Sequence, residues 1–131
     1  MSFLLDVNLL LACGWQTHVE HARALAWLDG QSEFYTCALV ELGFIRVSMG
    51  PGFRALFTDT LPALREIKSR SSARTIEVDL DVIQLPIVSS HSDVTDAYLV
   101  SLARSHGLQL ATLDAPLIAK AWATGVAVRP F

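Results

Sequence analysis

The chain has 131 residues, 52% of them hydrophobic and 18% charged, with a formal net charge of −3. That length fits one folded domain with a real core and is too short for two, and the apolar balance excludes disorder. No uninterrupted apolar run approaches the ~20 residues of a membrane span, because Asp6, Glu41 and Arg104 interrupt the longest ones.

The opening residues, Met1 to Asp6, lack a basic start and carry an acid in their first apolar stretch, unlike a secretory signal. A cytoplasmic protein is expected. Phe3-Leu4-Leu5-Asp6 reads as a short strand ending in an acid, and Val7 to Cys13 as a helix. A second helix is expected over His18 to Asp29, stopped by Gly30. Phe34-Tyr35-Thr36-Cys37 is β-prone, and Ala38 to Met49 is helical until Gly50-Pro51-Gly52. Phe53 to Ser69 suggests a further helical region with Pro62 as a place where it could break, and Thr75 to Val78 a short strand. Asp81 to Pro86 reads equally as a helical turn or extended chain. Val94 to Ser105 is a helix stopped by Gly107, Leu108 to Leu113 a buried strand, Ala115 to Trp122 helical, and Val126 to Arg129 a last strand. Cys13 and Cys37 lie among apolar neighbours without metal-ligand spacing, which points to buried thiols rather than a disulfide or zinc.

Alternating strands and helices joined by short turns imply an α/β fold with a mainly parallel sheet of four or five short strands between helical layers. Ligands in such sheets gather beyond the strand C-termini, where Asp6 and Asp114 stand. Both also read as helix N-caps, Asp114 with Pro116 in the following turn. Asp93-Val94-Thr95-Asp96 resembles a capping box. Glu41 is the most informative acid, because it sits inside the apolar run Ala38 to Ile45. An ionised carboxylate there needs a cation, a polar partner such as Arg46, or solvent. Several converging carboxylates suit a hard divalent cation, which assists phosphodiester hydrolysis. The net charge opposes a nucleic-acid partner, but with those four acids taken up by metal the balance is ten basic against nine acidic residues.

Four segments resemble the PIN-domain family, and within it the VapC-type toxins of type II toxin-antitoxin pairs. Leu4-Leu5-Asp6-Val7-Asn8 resembles its opening strand and first acid, and Ala38-Leu39-Val40-Glu41 its helix-borne glutamate. Val94-Thr95-Asp96-Ala97-Tyr98-Leu99 is similar to its third-acid helix, and Leu110-Ala111-Thr112-Leu113-Asp114 to its late strand with a hydroxyl residue and a fourth acid. The resemblance implies a PIN-like three-layer α/β/α sandwich over residues 1–131 and an Mg²⁺- or Mn²⁺-dependent endoribonuclease. It implies Asp6, Glu41, Asp96 and Asp114 as the acidic, metal-holding cluster, with Asn8, Thr112 and Asp93 in support. It further implies products with 5′-phosphate and 3′-hydroxyl ends, a homodimer and a VapB-like antitoxin partner. Residues 50–90 match none of its motifs.

Arg65, Lys68, Arg70 and Arg74 form the densest basic cluster and are the candidates for RNA contact. His18 and His21 show no third ligand, and the serines around His91 lack the setting of a nucleophile. Trp15, Trp27 and Trp122 read as core residues or as part of an exposed patch. Two other readings remain: a degenerate or receiver-like binding module, and a phosphoaspartyl-type phosphatase, for which Asp6-Val7-Asn8 lacks a second aspartate.

Overall fold

A computed structural model describes all residues, Met1–Phe131. Strand β1 (Phe3–Leu5) ends at Asp6, whose extended backbone opens helix α1 (Val7–Gly14). Helix α2 (His21–Asp29) and strand β2 (Phe34–Cys37) follow, and β2 runs directly into helix α3 (Ala38–Ser48) with Cys37 as its N-cap. Helix α4 (Phe57–Lys68) leads to strand β3 (Ala73–Ile76), and helix α5 (Val94–Ser105) to strand β4 (Gln109–Ala111). The short helix α6 (Ala115–Ile118) precedes strand β5 (Ala127–Val128).

The five strands pair in the order β3-β2-β1-β4-β5, every pair parallel. Leu4 and Leu5 point to opposite faces of β1, as do Leu110 and Ala111 on β4, and all four are fully buried. Both faces of the sheet are therefore covered, which gives the three-layer arrangement and explains the unbroken apolar character of these strands. The chain leaves β1 toward β2 and β3, then returns to the other side of β1 with β4 and β5. The order reverses between β1 and β4, and the crevice beyond their C-terminal ends is where a ligand fits in such a sheet.

Several boundaries differ from the sequence reading for local reasons. Helix α2 starts at His21 because a turn precedes it, with His18 Nδ1 accepting from the Glu20 N–H at 3.0 Å. Pro62 lies inside α4 without breaking it. Strand β3 begins two residues before the expected start, fixed by the pairing of Phe34 with Ala73. Residues 82–84 form a single 3-10 turn, and the expected last helix divides into α6 and a 3-10 turn over residues 121–123. Helix α5 spans the expected residues and ends before Gly107, whose φ of 70° suits glycine. Trp15 stacks on Phe44 with centroids 5.8 Å apart, and Trp27 meets Phe3 edge-on at 5.4 Å, so these rings belong to the core. Both cysteines are buried and unpaired, and burial pushes the Cys13 thiol up to about 12, which leaves it unreactive.

Gly43 sets how closely α3 approaches the start of α1. A Cβ at this position would stand 2.6 Å from Val7 Cγ2 and 3.4 Å from Cγ1. Val7 is β-branched and held to few rotamers in a helix, so it cannot swing clear. Gly43→Ala gains about 1 kcal/mol of helix propensity but meets an overpacking penalty of roughly 1–3 kcal/mol. The expected outcome is a lower melting temperature than wild type, whereas Gly52→Ala, with nothing within 4 Å of a Cβ, leaves it unchanged or higher.

Candidate active site

Asp6 is the innermost acid at the sheet's C-terminal edge and is only 5% exposed. Its Oδ1 accepts from the Val7 N–H at 2.8 Å and its Oδ2 from the Thr112 hydroxyl at 2.7 Å. Thr112, itself fully buried, has every valence of its hydroxyl in use. While donating to Asp6 it accepts from Asn8 Nδ2 at 3.2 Å and from the Asp114 N–H at 3.1 Å. Asn8 Oδ1 accepts in turn from the Leu113 N–H at 3.0 Å. Two of the three supporting residues expected from sequence, Asn8 and Thr112, thus join the start of α1 to the end of β4.

Asp114 caps α6 through Oδ1, which accepts from the Leu117 N–H at 3.1 Å. Capping and edge placement coincide for both Asp6 and Asp114. Asp96 lies in the first turn of α5. Burial first, then the charges of Asp6, Asp114 and Asp93, push its carboxyl up to about 6. Burial also raises Asp6, against the bonds from Thr112 and Val7, and the charge of Asp114 adds to the rise. Asp6, Asp96 and Asp114 therefore feel one another's charge across the crevice. None of the three forms an ion pair with a basic side chain. No three acidic, histidine or cysteine side chains close on a single point at ligating separation.

Glu41 occupies the first turn of α3, with its two oxygens engaged separately. Lys68 Nζ lies 2.9 Å from Oε1, and the Thr36 hydroxyl donates to Oε2 at 2.9 Å. Its basic partner is Lys68 rather than Arg46. Asp93 is the N-cap of α5 but makes no side-chain cap bond; its Oδ2 instead stands 3.3 Å from Lys120 Nζ.

The basic cluster is divided among several partners. Lys68 pairs with Glu41, Arg70 with Asp29, and Arg74 donates to the Ser71 and Ala73 carbonyls at 2.8 and 2.9 Å, while Arg65 is exposed on α4. His21 Nδ1 sits 2.8 Å from the Ala12 carbonyl oxygen and acts as its donor. Thr36, Lys120 and Arg129 were not singled out from sequence. Thr36 lies one residue before β2 ends at Cys37, as Thr112 follows β4, a parallel that is readable in retrospect. Lys120 and Arg129, the latter donating to the Leu113 carbonyl at 3.4 Å, reach this edge only through the fold.

The chain matches the PIN domain family over residues 3–122. It is 34% identical over 119 residues to Ribonuclease VapC38 of Mycobacterium tuberculosis, covering 86% of this chain and 84% of that protein. Solved structures share the fold. The crystal structure of VapC20 of Mycobacterium tuberculosis, described as a toxin cleaving the sarcin-ricin loop, has a TM-score of 0.64 at 16% identity, covering 89% of this chain and 93% of that one. A toxin-antitoxin complex from Klebsiella pneumoniae gives 0.63 at 17% identity, with 98% of both chains covered.

The electrostatics of Asp96 have a measurable consequence. Its carboxyl titrates near 3.8 when unfolded and near 6 when folded, so the folded state holds the proton more tightly. The stabilisation from that proton is complete below about pH 4 and is lost as pH rises through about 6. In chelator at pH 7.5, Asp96→Asn should melt above wild type by roughly 2–6 °C, and the gap should close toward pH 4.5. An equal loss of stability at both pH values would show that the Asp96 charge is not repelled.

Proposed function

Because this chain belongs to the PIN-domain family and is a ribonuclease of its VapC type, we propose that Asp6, Asp96, Asp114 and Glu41 hold Mg²⁺ or Mn²⁺ and that RNA is cut at this edge of the sheet. The observation that carries the reading is the contrast in pairing. At this edge Glu41 and Asp93 each have a lysine, while the inner trio has none. Acids kept for stability alone are paired or neutral when buried. Three that repel one another at a ligand crevice, two of them with raised affinity for a proton, fit an oxygen-liganded divalent cation. When bound, such an ion supplies a hydroxide nucleophile and offsets charge at the phosphoryl group.

The chain's own residues supply the rest. Thr112 fixes the direction of Asp6, and Asn8 holds the backbone of Leu113, so both acids of β1 and β4 face the crevice from rigid strand ends. Lys120 and Arg129 reach this edge through Asp93 and Leu113, where they can meet phosphates beside the cleaved one. Products carry 5′-phosphate and 3′-hydroxyl ends.

The partners follow the same reading: an RNA substrate, a VapB-like antitoxin and a second copy of the chain. Exposed Leu42, Met49 and Phe57 line one groove along α3 and α4 and support an apolar contact face. No helix is long and apolar enough to cross a membrane.

The test is cleavage of total RNA by the pure protein with Mg²⁺ or Mn²⁺ and with chelator. Cleavage should require the metal, and Asp96→Asn should reduce it by about 10²-fold or more while remaining folded. Undiminished cleavage in chelator, or by Asp96→Asn, would remove metal and carboxylate from the chemistry.

A further inference from the structure

Glu41 stands apart from the inner trio in having a lysine as partner. Lys68 Nζ holds Oε1 at 2.9 Å from α4, and the Thr36 hydroxyl holds Oε2 at 2.9 Å from the end of β2. The Lys68 side chain is 37% exposed and that of Glu41 16%, so the pair is partly shielded from solvent. Glu41 lies two residues before Gly43 on α3, the helix that packs against Val7 at the start of α1. The carboxylate is thus on a helix packed against the residue that follows Asp6, while its charge is neutralised by Lys68 of α4.

We propose that Lys68 is a positioning residue that competes with the divalent ion for Glu41. The inference rests on the metal-dependent reading above and assigns one of its residues a regulating role. With Lys68 attached, Glu41 contributes no free charge, and the crevice offers three carboxylates. When the ion draws Glu41 away, the ammonium loses its partner and also repels the incoming dication. Lys68 therefore raises the metal concentration at which the site fills. The Thr36 hydroxyl is neutral and can keep its bond to Oε2 in either condition, acting as the pivot. Such a latch leaves the site underfilled at low metal and complete at high metal, which a carboxylate always free to bind would not do. It also explains why a lysine of the densest basic stretch is turned inward to an acid instead of outward to solvent.

The experiment is calorimetric titration of chelator-stripped full chain with Mn²⁺, followed by metal-free RNA affinity from fluorescence anisotropy. Lys68→Gln should bind Mn²⁺ about threefold to tenfold more tightly than wild type, from the loss of one nearby positive charge. Lys68→Arg, which keeps the charge, should restore the wild-type constant. In a Glu41→Gln background the Lys68→Gln effect should vanish, because the lysine then has nothing to withhold. An unchanged or weaker constant for Lys68→Gln, or the same gain with and without Glu41, overturns the latch while leaving the metal site intact. An unchanged constant with weakened metal-free RNA binding makes Lys68 a phosphate contact and likewise overturns it. If wild type shows no Mn²⁺ binding that Asp96→Asn abolishes, the functional reading itself fails.

Discussion

The bond from the Thr112 hydroxyl to Asp6 Oδ2, at 2.7 Å, is the interaction on which the site's geometry depends. It joins residues that lie 106 positions apart in the chain, across the boundary between β1 and β4. The same oxygen accepts from Asn8 and from the Asp114 backbone, and the Thr112 N–H donates to the Val128 carbonyl at 3.0 Å. One residue thereby ties the ends of three strands and the starts of two helices. A buried carboxylate supported only by neutral donors keeps its negative charge available, whereas a lysine or arginine partner would cancel it. The network orients Asp6 without satisfying its charge.

That leaves a local electrostatic conflict which the rest of the fold must tolerate. Repulsion between carboxylates and loss of hydration both oppose folding at the sheet edge. The opposing resource lies directly beneath it: Leu4, Leu5, Leu110 and Ala111 are fully buried, and each buried leucine contributes roughly 1.5–3 kcal/mol. Strands covered on both faces provide rigid, apolar support up to the residue where the chain turns, and the polar network begins at that residue. Conflict is confined to the ends of strands whose interiors have none, the distribution expected where function overrides local preference.

Much of this was readable from residue order because it is local. Phe34–Cys37 and Val94–Ser105 appear over the expected residues, the first because its residues are β-prone and the second because it combines helical periodicity with the Gly107 stop. Asp6 and Asp114 were readable as edge residues because a strand, an acid and a helix start follow in sequence. What was not readable is pairing at long range. Glu41 offered Arg46 as its neighbour on the same helix, but α4 packs against α3 and brings Lys68 from 27 positions away. Asp93 was read as part of a capping box, yet Lys120 captures its carboxylate from beyond β4. Strand β3 was misplaced by two positions because it is an edge strand whose Arg74 and Thr75 are exposed, which weakens any alternation.

Net charge is a poor guide to what this edge of the molecule can bind, because the charges are sorted by depth. The outer acids Glu41 and Asp93 are matched by lysines, and Arg129 lies beside the Leu113 carbonyl. The inner acids are unmatched, so uncompensated negative charge collects at the crevice. A polyanion meets repulsion there so long as those carboxylates are ionised and uncompensated. Once a dication balances them, the surrounding lysines and arginine set the sign of the field, and the same edge attracts phosphate. On the proposed reading, metal and RNA binding are therefore coupled by charge alone: each favours the other without any change of fold, because the sign that a phosphate encounters is decided within the crevice and not by the sum over the chain.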